Sequence, residues 1–140
     1  MALKDRIRPW PKSAIGSRLQ MFDGTVVLCR KREEWDAAVS YILSKPISQI
    51  DSKRLADPHN AGQCTYYHKM DGKGTMFLIG VFDAKSRTLL HELSHATFDI
   101  CGYYGVPTNA GEANEFFCYL LEYLFSEFEP FLTKNATPTA

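Results

Sequence analysis

The stretch CTYYHKMDGKGTMFLIGVFD, Cys64–Asp83, decides the fold. Two runs rich in β-branched and aromatic residues, Thr65–Met70 and Thr75–Phe82, flank the turn sequence Asp71-Gly72-Lys73-Gly74. Glycine and aspartate tolerate the positive φ that a tight link between twisted strands requires, so this spacing predicts an antiparallel hairpin. Immediately behind it comes Thr88-Leu89-Leu90-His91-Glu92-Leu93-Ser94-His95-Ala96, a largely apolar run that reads as a buried helix. Ser86 can cap a helix entering at Arg87, and Gly102 suits the left-handed position past its end.

Working outward, Thr25–Arg30 (TVVLCR) follows the turn signal Asp23-Gly24 and is a strand candidate. Arg32–Ser44 carries Trp35, Ala38, Val39, Ile42 and Leu43 at helical spacing, and Pro46 closes it. Residues 47–62 are polar, contain Asp57-Pro58 and Asn60-Ala61-Gly62, and read as loop. Downstream, residues 102–111 form a Gly/Pro/Asn loop, and a second long helix is expected over Ala110–Glu129, stopped by Pro130. Its stripe of Phe116, Phe117, Leu120, Leu121, Leu124 and Phe125 reads as core. The head, through about Gln20, carries no clear period. The expected class is α+β, a small antiparallel sheet packed against two or three helices, in one domain over residues 1–132 with a disordered tail over 133–140.

The 140 residues include 16 basic and 16 acidic side chains, so net charge is zero and no global field favours nucleic acid or an anionic membrane. Residues 1–32 hold eight Lys/Arg against Asp5 and Asp23, whereas residues 112–129 hold five Glu and no base; both blocks read as solvated faces. Cys29, Cys64, Cys101 and Cys118 form no CxxC pair. No apolar run reaches signal-peptide or membrane-spanning length, so reduced thiols in a cytoplasmic protein are expected.

His91 and His95 stand four apart and so share one face of the helix, close enough for both rings to hold one ion. Glu92 lies a step round the axis, beside that ion without facing it. In HExxH the histidines ligate zinc and the glutamate acts as general base. Catalytic zinc needs a third protein ligand and one open position; the next helix offers Glu112 and Glu115, with Cys118 further off. Glu112 falls in the first turn, where the helix dipole already accounts for a carboxylate. Asp99, four residues after His95, shares the histidine face and is placed to orient a ligand. His59 and His68 are isolated and read as surface or half-buried residues.

The segment HELSHATFDICGYYGVPTNAGEANE (His91–Glu115) resembles the metal-binding core of the thermolysin-like, or gluzincin, branch of the zincin metallopeptidases. In that pattern HExxH is followed about twenty residues later by a ligand glutamate within Asn-Glu, and Asn114-Glu115 stands there. The resemblance implies a minimal zincin-like core with one zinc ion per chain, His91, His95 and Glu115 as ligands, and Glu92 as base. Glu112-Ala113-Asn114 is similar, less closely, to a Glu-Ala-Asn motif in another group of phage- and bacterium-associated metallopeptidases, which would make Glu112 the ligand. In size and in its last helix the chain looks most like small metallopeptidases encoded by phages and prophages.

The chain departs from the gluzincin pattern in three places. Tyr119 occupies the position of a supporting aspartate, Val106 that of the transition-state tyrosine (Tyr103 and Tyr104 lie close by), and no histidine follows His95. The expected activity is zinc-dependent hydrolysis of peptide bonds in a peptide or protein substrate, through a metal-activated water with Glu92 as base. Strand Thr75–Phe82 is expected at the sheet edge, where an extended peptide could add by backbone hydrogen bonds. The alternative, motivated by those departures, is a catalytically silent zincin-fold binding or regulatory protein.

Overall fold

The computed structural model describes residues 2–19, 22–109 and 114–133. Four strands form one sheet: β1 (Ile15–Leu19), β2 (Gly24–Cys29), β3 (Gly62–Met70) and β4 (Gly74–Val81). Three helices complete the α+β arrangement: α1 (Arg32–Leu43), α2 (Ser86–Tyr103) and α3 (Asn114–Phe128). The expected helix start at 110–113 and the tail beyond Thr133 lie outside the described residues.

The hairpin forms where its turn residues require it. Gly72 and Gly74 both have φ +72°, and the Lys73 N–H closes the turn on the Met70 carbonyl at 2.9 Å. The sheet differs from the expected all-antiparallel one. Its order is β1-β2-β4-β3, with β1/β2 and β3/β4 antiparallel but β2/β4 parallel, from Gly24↔Thr75 to Cys29↔Gly80. A parallel pair needs a long crossover, and α1 with the 47–61 loop and β3 supplies it. The mixed order also corrects the expected edge: β4 lies inside the sheet and β3 forms the border.

Alternate residues of the inner strands serve two cores. Val26, Leu28, Phe77, Ile79 and Val81 face α2 and α3, where Leu89, Leu93, Ala96, Ile100, Leu124 and Phe128 meet them. Val27, Cys29 and Leu78 face α1 through Trp35, Ala38, Val39 and Ile42. Helices therefore cover both faces, which is why these strands read as continuous apolar runs. β1 has a mostly exposed middle and too weak a pattern to stand out; its pairing with β2 makes it a strand.

Helix ends are fixed by specific groups. Glu34 reaches back to accept the Arg30 N–H (2.6 Å) and the Lys31 N–H (3.2 Å) at the start of α1. At its other end Lys73, from the hairpin, donates its ammonium to the Tyr41 carbonyl at 2.6 Å and the Ser44 hydroxyl at 2.6 Å. α2 is held at its start by Asp83, which accepts the Lys85 N–H at 3.1 Å and the Thr88 hydroxyl at 2.7 Å, so Asp83 rather than Ser86 supplies the capping carboxylate. Its end also differs from the expected one. Gly102 lies within the helix, and Gly105 (φ +72°) is the left-handed residue after it. The Val106 N–H bonds back to the Cys101 carbonyl at 2.8 Å, the six-residue closure of a Schellman ending.

Directions follow from contacts at the two ends. Tyr104, past the end of α2, stacks on Phe22 just before β2 at 4.2 Å, and Phe116 early in α3 meets the same ring at 5.9 Å. At the far end of β2 the Arg30 guanidinium donates to the Phe131 carbonyl at 2.9 Å. α3 therefore runs along β2, and α2 runs against it. No helix among the described residues is long and apolar enough to cross a membrane.

Candidate metal centre

α2 buries Leu89, Leu93, Ala96 and Ile100 against the sheet, and this apolar stripe sets the orientation of every other side chain on the helix. His91 and His95 fall on the opposite side and are exposed, while Glu92, one step round, is buried with 7% of its surface accessible. The helix is thus amphipathic, with its two ligand candidates facing solvent and its candidate base tucked in beside the sheet.

The two imidazoles converge. Their Nε2 atoms are 3.2 Å apart and the ring planes are inclined at 78°. Two nitrogens bound tetrahedrally to zinc at the usual bond length stand about 3.3 Å apart, so the pair is spaced to fill two neighbouring positions round one such ion. The bland alternative, a buried pair serving only internal hydrogen bonds, does not match their exposure.

Glu92 owes its position to the start of β3. A Cβ at Gly62 would lie 2.7 Å from Thr88 Cγ2, 2.8 Å from Glu92 Cγ and 3.0 Å from the Gly80 carbonyl oxygen. Only a residue without a side chain lets the strand approach α2 this closely. Burial pushes the Glu92 carboxyl above the ordinary carboxylate range, and the neighbouring His91 and His95 pull it partly back. Asp99 is likewise raised by burial and lowered in turn by His95, by the hydrogen bond from the Cys64 thiol (3.9 Å) and by His68. The side-chain contact of Asp99 is thus to Cys64 on β3, one turn of α2 beyond His95.

A groove of about 740 Å³ opens over the first half of α2. Arg87, Leu90, His91 and Ser94 line its helical side, and Asn60, Ala61 and Gly62 line the other. It lies at the β3 border of the sheet, so the edge beside the histidines is β3.

Other expected site residues lie elsewhere. Glu115 is exposed in the first turn of α3. Phe117, two residues further along the helix, packs on Phe98 of α2 at 4.5 Å. Among the described residues no three His, Cys, Asp or Glu side chains converge closely enough to hold an ion. The rival ligand Glu112 lies outside the described residues, and Cys118 is exposed. Tyr103 is turned toward the hairpin, its hydroxyl 3.5 Å from the Thr75 hydroxyl and its ring 4.0 Å from that of His68. The Tyr104 hydroxyl is buried against Gly24, without a hydrogen-bond partner among the described residues. Tyr119 is 66% exposed.

Sequence reasoning missed Gly62 and Arg87. Gly62 read as one more loop glycine, because its neighbour across the gap is thirty residues away in the chain. Arg87 read as the first residue of a helix, although its four-residue spacing from His91 was available as a signal. No protein-family model, curated protein or solved structure matches the chain.

Proposed function

We propose that this protein is a zinc-dependent metallopeptidase. The observation that carries the reading is the Nε2···Nε2 separation of 3.2 Å between His91 and His95, beside a buried glutamate and at the mouth of an open groove. His91 and His95 would hold zinc through Nε2; Glu115 is the third ligand that the gluzincin resemblance implies, and it would have to turn toward the histidines from its exposed place in the first turn of α3. When bound, zinc supplies Lewis-acid polarisation and brings the pKa of a coordinated water to about 7.

The chain's own part in the reaction rests on Glu92. Its carboxylate takes a proton from the attacking water as oxygen adds to the peptide carbonyl carbon. The same proton then goes to the amide nitrogen as the C–N bond breaks, leaving a carboxylic acid and an amine. The partly desolvated place of Glu92 beside the histidines keeps its carboxylate next to the water and the leaving nitrogen for both halves of that transfer. Gly62 leaves the room that the Glu92 side chain occupies beside β3, and the groove walls from residues 60–62 and from α2 would hold the peptide.

A second reading is favoured by the tyrosines: the Tyr103 hydroxyl is directed to Thr75 and the Tyr104 hydroxyl is buried, so neither serves a developing oxyanion. That reading is a zincin-like scaffold that binds a partner without hydrolysing it. Digestion of a peptide library with and without chelator separates the two, accompanied by elemental analysis. The peptidase reading expects one zinc per chain and chelator-sensitive cleavage. Glu92→Gln should keep the zinc and lower kcat by at least about a thousandfold, the upper half of the range for a lost proton-transfer group combined with misplaced water. Cleavage at the wild-type rate in Glu92→Gln removes Glu92 from the mechanism. Zinc content should collapse in Glu115→Ala and persist in Glu112→Ala; the reverse transfers the third ligand to Glu112.

A further inference from the structure

Arg87 lines the same groove as His91 and Glu92, four residues and about one helical turn before His91. Arg87, His91 and His95 therefore form one stripe along α2. The neighbouring carboxylates are otherwise engaged. Asp83 accepts from the Lys85 N–H and the Thr88 hydroxyl at the helix start. Asp57 accepts from the His59 N–H at 2.8 Å and from the Asn60 amide at 3.1 Å. Glu92 is buried on the sheet side. Among the described residues no carboxylate pairs with Arg87. A guanidinium presents a flat, forked set of donors matched to a carboxylate, and Arg87 is exposed at the wall of the groove, within reach of a bound chain.

We propose that Arg87 is a specificity-determining residue that recognises a carboxylate on the substrate peptide, so that the groove prefers acidic peptides. The inference rests on the peptidase reading. Four residues of helix separate the Cα atoms of Arg87 and His91 by about 6 Å along the axis, and because both side chains lean toward the helix N-terminus that spacing carries over to the guanidinium and the imidazole. An extended peptide advances roughly 3.3–3.6 Å per residue. The recognised carboxylate therefore lies one to three residues from the bond that is cut. It can be an Asp or Glu side chain or the C-terminal carboxylate of a short substrate, two sources of one chemistry.

The test uses quenched fluorescent peptides in matched sets: Asp or Glu against Asn, Gln or Lys at each position near the cleaved bond, and free-acid against amidated C-termini. In the wild type, kcat/KM should favour the acidic member at one position, or the free acid over the amide, and the position identifies the source. Arg87→Gln should lower that acidic-to-neutral ratio by about tenfold to a hundredfold, the worth of a charge-assisted bidentate contact. Arg87→Glu should invert the preference toward Lys. An acidic-to-neutral ratio that is the same in the wild type and in Arg87→Gln overturns the proposal. Failure of the peptidase reading is separable, because binding of labelled acidic and neutral peptides to zinc-loaded Glu92→Gln protein is read by fluorescence anisotropy without turnover. Tighter binding of the acidic peptide that is lost in Arg87→Gln supports the carboxylate site even if no peptide is cut. Equal binding of both peptides sinks it.

Discussion

At the scale of single residues, the candidate centre depends on a glycine as much as on its histidines. Replacing Gly62 by alanine would set a methyl group 3.0 Å from the Gly80 carbonyl oxygen, which belongs to the interior strand β4 and cannot easily retreat. The yielding parts are Glu92 and Thr88, whose side-chain carbons would lie 2.8 Å and 2.7 Å away. Gly62→Ala is therefore expected to cost about 1–3 kcal/mol of stability, the usual range for overpacking. It should also lower kcat through displacement of Glu92 while zinc stoichiometry stays at the wild-type value. Urea unfolding, metal analysis and kinetics on one preparation check this; unchanged kcat with an unchanged midpoint would contradict the tight approach. The histidine pair was legible from spacing, since a helix dictates which residues four apart share a side. Gly62 was not, because its constraint comes from a contact across the fold.

At the scale of elements, the end of α2 offers a test by paired substitutions of opposite sign. Gly102 lies inside the helix with open space where a Cβ would stand, so Gly102→Ala is expected to stabilise by roughly 0.5–1 kcal/mol through the lost backbone entropy of glycine. Gly105 holds φ +72°, where an L side chain is strained, so Gly105→Ala is expected to cost about 1 kcal/mol. Thermal midpoints should move apart, by about 3 °C in each direction for a chain of this size. Both variants moving the same way would mean that α2 ends elsewhere. Local chemistry made the hairpin, α1 and the body of α2 readable, because turn glycines and helical periods act over a few residues. It could not fix which of two nearby glycines ends the helix. That choice depends on Tyr104 reaching Phe22 and the Val106 N–H finding the Cys101 carbonyl. The mixed strand order was equally hidden, since α1 and β3 separate β2 from its parallel partner β4. The edge assigned to β4 moved to β3 for that reason.

At the scale of the whole molecule, two cores on either side of one sheet leave little room for charge, and the cysteines register this. Cys29 lies in the α1-side core with no exposed surface, and Cys101 is buried as well, whereas Cys118 is exposed. The Cys29 thiol is pushed far above its ordinary value by burial, and further by the charges of Glu34 and Asp36. In the unfolded chain that thiol ionises near its ordinary value of 9.0. Below this pH both states hold the proton and stability is independent of the group. Above it the unfolded chain releases a proton that the folded chain keeps, so stability falls as pH rises. The slope from this one thiol is about 1.4 kcal/mol per pH unit once the pH is well past 9. Urea unfolding under reducing conditions at pH 7.5, 9 and 10.5 should therefore show a decline that is shallower in Cys29→Ala than in the wild type. The buried Tyr67 and the half-buried Tyr104, also raised by desolvation, contribute the same sign to both proteins and cancel in the comparison. Equal slopes for the two proteins would mean that Cys29 is not sequestered from water, and with it the packing of α1 against β2 would have to be redrawn.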